Sequence, residues 1–91
     1  MSQFEEMSDI LKAMAHPMRL KILLGLKKDG CNVKEIQKNL GLPQSTISQH
    51  LRILKQVKII KGRREGTRIC YTIISDWGKQ IIEMIRESTF F

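Results

Sequence analysis

The stretch Leu42-Pro43-Gln44-Ser45-Thr46-Ile47-Ser48-Gln49-His50-Leu51-Arg52 decides how this chain is read. Ile47, Leu51 and Leu54 recur at i, i+4 and i+7, so they share one face of a helix. The opposite face carries Ser45, Ser48, Gln49, Arg52 and Gln56. These are short hydrogen-bonding side chains plus one cation, suited to base edges and phosphates in a major groove. Just upstream, a second short helix stops at Gly41. Helix, tight turn and helix with a polar outer face is the helix-turn-helix plan. A recognition helix is therefore expected over residues 43–56, opened by Pro43.

Outward from that segment, the other elements follow from caps and periods. Ser2 with Glu5 makes a capping box ahead of the stripe Phe4, Met7, Ile10, Leu11 and Met14. His16-Pro17 ends that helix and starts another, which carries Leu20, Ile22, Leu23 and Leu24 and stops at Asp29-Gly30. Asn32 with Glu35 caps a third helix bearing Val33, Ile36 and Leu40. After Val57 the period changes to alternation. Lys58 to Arg63 reads as a strand, Arg64-Glu65-Gly66-Thr67 as a hairpin tip, and Arg68 to Ile74 as the return strand with Ile69, Tyr71 and Ile73 on one side. Ser75 or Asp76 caps a last helix bearing Trp77, Ile81, Ile82, Met84 and Ile85.

The order α-α-α-α-β-β-α is a mainly helical, winged helix-turn-helix domain, one unit over residues 1–91 with its wing at 58–74. Ninety-one residues leave a marginal core, for which oligomerisation is a common remedy. The terminal helices carry more apolar surface than the core needs. Phe4, Met7 and Met14 with Trp77, Ile81, Met84 and Ile85, joined by Phe90 and Phe91, predict a two-fold dimer through the first and last helices.

The net charge is +7 and is unevenly spread. Between Gln44 and Thr72 stand Arg52, Lys55, Lys58, Lys61, Arg63, Arg64 and Arg68 against the single acid Glu65, whereas the first eleven residues hold Glu5, Glu6 and Asp9 and no base. A polyanion would meet the second half, and the wing arginines Arg63, Arg64 and Arg68 suit a narrow minor groove. The acidic first turn and the lack of a long apolar run give no sign of a signal peptide or a membrane span. Cys31 and Cys70 have no framework spacing, which points to a reducing, cytoplasmic setting and to cysteines too far apart to bridge within one chain. No nucleophile–base motif, phosphate-binding glycine loop or carboxylate pair argues for an enzyme.

Three stretches together resemble the ArsR/SmtB family of winged-helix repressors over residues 8–87: Leu11 to Ile22 around Ala15-His16-Pro17-Met18-Arg19, Ser45-Thr46-Ile47-Ser48-Gln49-His50-Leu51, and Arg64-Glu65-Gly66-Thr67 ahead of Tyr71. The wording is most like members without an obvious metal site. The resemblance implies a homodimeric repressor of an inverted-repeat operator in double-stranded DNA, released by a signal. It places DNA contacts on Gln44, Ser45, Ser48 and Gln49, with Thr46 beside them, and wing contacts near Arg64 and Thr67. His50, at the flank of the apolar stripe, reads as structural. The family's metal sites are not matched: Asn32 and Lys34 stand at the usual thiolate ligand positions, and no histidine follows His50, so no metal and no cofactor are expected. The alternatives left open are a metal-responsive derepressor, a thiol-responsive one using Cys31 (near a helix N-terminus) or Cys70, and a winged helix that grips a protein partner.

Overall fold

The computed structural model describes residues 2–88. The elements run α1 (Gln3–Met14), α2 (Pro17–Asp29), α3 (Val33–Leu40), α4 (Gln44–Gln56), β1 (Ile60–Glu65), β2 (Arg68–Ile73) and α5 (Asp76–Arg86). Phe90 and Phe91 lie outside the described residues.

Three of the five helices, α1, α2 and α5, begin at a side-chain oxygen or ring-nitrogen acceptor. Ser2 Oγ accepts from Glu5 N–H at 3.1 Å, His16 Nδ1 from Met18 N–H at 3.1 Å, and Ser75 Oγ from Gly78 N–H at 3.1 Å. Each satisfies one of the orphan donors of a first turn. Asn32 occupies the N-cap position of α3 without a side-chain cap bond, so the expected Asn32–Glu35 capping box is not formed; the Asn32 carbonyl takes the Glu35 and Ile36 amides instead. Gly41 closes α3 with φ +65°, and the Gly41 and Leu42 amides both return to the Gln37 carbonyl. A left-handed residue here turns the chain sharply into α4, and glycine adopts that conformation without steric cost.

One buried cluster draws on every helix and on the base of the wing: Ile10, Ala13 and Met14 from α1, Ile22, Leu23 and Leu26 from α2, Ile36 from α3, Ile47, Leu51 and Leu54 from α4, Ile59, Ile60 and Ile73, and Ile82 from α5. Met14 is 3% exposed. It belongs to this core and does not join the outward apolar surface expected of it, because the α1 stripe turns it onto the neighbouring helices.

The strands pair antiparallel, from Ile60 opposite Ile73 to Glu65 opposite Arg68, leaving Gly66-Thr67 as a two-residue loop with positive φ at Gly66. The wing starts later than its sequence predicts. Lys58 takes φ +60°, the Lys58 amide bonds the Lys55 carbonyl and the Ile59 amide bonds the Leu54 carbonyl, so Lys58 still closes α4. The two faces of β2 also differ from the simple alternation. Ile73 is buried and Tyr71 half-buried, but Ile69 is 43% exposed and Cys70 is 4% exposed. The hairpin runs past the core at its tip, which uncovers Ile69, and its other face turns Cys70 onto the α2–α3 junction.

Candidate nucleic-acid interface

Helix α4 is held from behind. Ile47, Leu51 and Leu54 are all buried, and Leu54 is 0% exposed. A helix with its apolar stripe fixed this way has no freedom to rotate, so its remaining face is presented in one orientation. That face is Gln44, Ser45, Ser48, Gln49, Arg52 and Gln56, all exposed, with Thr46 half-buried at its edge. The sequence-predicted contact residues of α4 are thus brought onto one solvent-facing surface.

The wing stands beside it. Arg63, Arg64, Thr67 and Arg68 are exposed. Arg63 pairs with Glu65, while Arg52, Arg64 and Arg68 enter no ion pair among the described residues. Between α3, α4 and the wing lies a cleft of about 540 Å³, into which Gln44 and Ser48 project from one side and Thr67 and Arg68 from the other. Lys34 and Gln37 of α3 also line it. The sequence pattern of α4 and the wing does not point to them. The signal that finds them is the general plan itself, in which the first helix of the motif crosses the phosphate backbone.

His50 does not belong to the outward face. Arg19 donates through Nε to His50 Nδ1 at 3.3 Å and through a terminal nitrogen to the Ala13 carbonyl at 3.2 Å, and the His16 and His50 rings lie 4.8 Å apart. Partial burial, with His16 and Arg19 adding like-charge repulsion, holds the His50 imidazole below its ordinary pKa of 6.5. This seam ties α2 to the inner flank of α4 and fixes the orientation of the recognition face.

Cys31 and Cys70 contradict their sequence reading. They form a disulfide, with Cα atoms 4.1 Å apart across 39 residues of chain. The wing folds back over the α2–α3 junction, so distance along the sequence says nothing about distance in space. Glu65 joins them, with Oε2 at 3.2 Å from Cys70 Sγ. Cys31, Glu65 and Cys70 are the one group among the described residues whose ligand atoms gather closely enough for a metal, within 4.8 Å of one another. In the disulfide the two sulfurs are bonded to each other and offer no thiolate.

Of the expected outward apolar residues, Phe4, Trp77 and Met84 are exposed at 83%, 47% and 70%. Met7 is half-buried, and Ile81 and Ile85 pack partly onto the core. Leu11 adds to this surface at 51% exposure. Helices α1 and α5 pack against each other.

A buried-backed second helix, a left-handed turn before it and an arginine-bearing hairpin beside it define a winged helix-turn-helix protein. A family model described as "Helix-turn-helix domain" matches residues 14–63, more than half of the chain. The chain is 44% identical over 89 residues to the uncharacterized HTH-type transcriptional regulator MJ1325 of Methanocaldococcus jannaschii, covering 96% of this chain and 99% of that one. The crystal structure of the transcriptional repressor PagR of Bacillus anthracis superposes with a TM-score of 0.79 at 42% identity, covering 90% of this chain and 94% of the crystallised one. The solution structure of the homodimeric winged helix-turn-helix DNA-binding domain of Mb0332 from Mycobacterium bovis, described as a possible ArsR-family regulator, gives 0.78 at 28% identity, over 91% and 77% of the two chains. The chain belongs to the helix-turn-helix transcriptional regulators of the ArsR/SmtB type.

Proposed function

We propose that this protein is a homodimeric transcriptional repressor that binds an inverted-repeat operator in double-stranded DNA, in the cytoplasm and without a catalytic step. The observation that carries this reading is the exposure of Gln44, Ser45, Ser48, Gln49 and Arg52 on a helix whose apolar side is locked into the core. Helix α4 enters the major groove, where Gln49 and Ser45 meet base edges and Arg52 meets phosphate. Arg64 and Arg68 of the wing reach the adjacent backbone and minor groove.

The dimer supplies the second half-site. A chain of this size with Phe4, Leu11, Trp77 and Met84 in solvent has an apolar surface to cover, and a second copy covers it symmetrically. Two recognition helices then read half-sites about one helical turn apart, roughly 34–36 Å. The kinship with PagR, a repressor, and with Mb0332, a homodimer, supports both parts of the reading.

The test is selection of bound duplexes from a random pool, followed by titration of the selected site at several salt concentrations. The reading expects a two-fold symmetric consensus and a steep fall of affinity with salt, roughly 0.9 log units per log unit of salt for each phosphate neutralised. A pool that stays random, with no duplex bound in dilute buffer, contradicts it.

A further inference from the structure

The corner where the wing meets the helix-turn-helix is built for backbone contact. The Tyr71 amide donates to the Gly30 carbonyl at 3.0 Å. A Cβ at Gly30 would collide with the Tyr71 carbonyl oxygen, so only glycine lets β2 come this close. Cys31 follows Gly30 and Cys70 precedes Tyr71. The backbone pair therefore sets the two sulfurs face to face, with Cys31 half-exposed and Cys70 buried. Cys31 also lines the cleft between α3, α4 and the wing, together with Lys34, Gln44, Ser48, Thr67 and Arg68. The tip of the hairpin beyond this point has left the core, as the exposure of Ile69 shows.

We propose that Cys31 and Cys70 form a hydroperoxide-sensitive clamp, in which the disulfide pins the wing onto the helix-turn-helix and dithiol formation releases it. The inference rests on the DNA-binding reading for its effect on affinity, but the clamp itself does not. The chemistry balances within the named groups. Cys31, the reachable thiol, loses its proton to solvent and its thiolate attacks one oxygen of the hydroperoxide. The O–O bond breaks, an alcohol or water leaves, and Cys31 becomes a sulfenic acid. The Cys70 thiol passes its proton to the Glu65 carboxylate beside it and attacks the Cys31 sulfur. The S–O bond breaks, and the hydroxide leaves as water after taking up a proton. The two thiols lose two electrons and the peroxide gains two.

Closing the clamp fixes the position of Arg64, Thr67 and Arg68 relative to Gln44 and Ser48 across the cleft. A wing already held in place spends less ordering entropy on binding, so the disulfide form binds DNA more tightly. A small dithiol opens the clamp: it attacks the disulfide, gives up two electrons and two protons, and is itself closed to a disulfide. This reduction leaves the wing attached through β1 and the Gly30–Tyr71 hydrogen bond but frees its tip to move.

The experiment compares the full chain reduced with dithiothreitol and oxidised with hydrogen peroxide, both with a metal chelator present. Alkylation and intact-mass measurement count free thiols, hydrogen exchange reads the wing amides, and duplex titration reads affinity. The clamp predicts no free thiols after peroxide, slower exchange at residues 63–71, and about three- to tenfold tighter operator binding. Cys31→Ser and Cys70→Ala should each abolish the peroxide effect on exchange; the half-exposed Cys31 site makes Cys31→Ser the safer of the two to fold. Two free thiols after peroxide, or equal wing exchange in the two forms, overturns the clamp. Equal operator affinity with a formed disulfide overturns its regulatory role and leaves the DNA reading intact. If neither form binds duplex DNA, the functional reading falls while mass and exchange still decide the clamp.

Discussion

The α4 face and the α1–α5 face are both open to solvent, yet their chemistry is opposite. On α4 the exposed side chains are Gln44, Ser45, Ser48, Gln49 and Arg52; on α1 and α5 they are Phe4, Leu11, Trp77 and Met84. Exposure alone therefore identifies neither surface. The first lacks apolar area to bury and offers hydrogen bonds and positive charge, which a polyanion with a patterned groove can use. The second offers area and little charge, which a second copy of the same surface can use. In the proposed symmetric dimer the two would be joined, since the apolar pairing would set the distance between the polar faces.

The largest effect expected is loss of both faces at once. Leu54→Ala removes the fully buried anchor behind α4 and should lower unfolding free energy by about 2–5 kcal/mol in denaturant titration. A cost under about 1 kcal/mol would mean that α4 is not held by its apolar side. A substitution confined to the second face separates the pair: Met84→Glu should leave the fold intact, move the protein to monomer in analytical ultracentrifugation, and weaken operator binding about tenfold or more. An unchanged dimer would remove α5 from the interface.

Smaller effects probe how α4 is oriented. Lys58 takes a left-handed conformation that favours glycine, so Lys58→Gly should stabilise the α4 C-terminus by about 0.5–1 kcal/mol, read as a shift of the denaturation midpoint. Its effect on DNA binding should be confined to the loss of one charge. The smallest effect concerns His50, whose folded pKa lies below 6.5 because of burial and its neighbours His16 and Arg19. The neutral ring is the form that the fold favours. Its contribution to stability is therefore fully present above pH 6.5 and is lost as pH falls from there through the lower folded pKa. His50→Gln should flatten the stability profile in that window, and a profile unchanged by the substitution would remove His50 from the seam.

Local rules made some of these elements legible and left others hidden. The face of α4 could be read because three apolar residues at helical spacing fix a rotation, and Gly41 could be read as the turn because a left-handed closure favours glycine. The structural role of His50 followed from its place on the wheel, although its partner Arg19, 31 positions away, did not. What stayed hidden depends on docking between distant segments. Met14 sits on the same α1 stripe as Phe4, and only the packing of α1 on its neighbours decides that one is buried and the other exposed. Cys70 and Ile69 alternate on a strand, and which of them faces protein depends on where the hairpin leaves the core. The meeting of Cys31 with Cys70 follows from the backbone contact of Gly30 with Tyr71, for which no local pattern exists. Lys58 shows the reverse case, a residue type that disfavours the conformation its position requires.

The central claim is that α4 reads bases while the wing grips the backbone. The direct measurement is the affinity of Gln49→Ala and Arg64→Ala, each titrated on the selected operator and on a random duplex of equal length. The account predicts that Gln49→Ala loses about 1–3 kcal/mol on the operator and little on the random duplex, whereas Arg64→Ala weakens both alike and lowers the salt slope by about one. Equal losses on both duplexes for Gln49→Ala would contradict it.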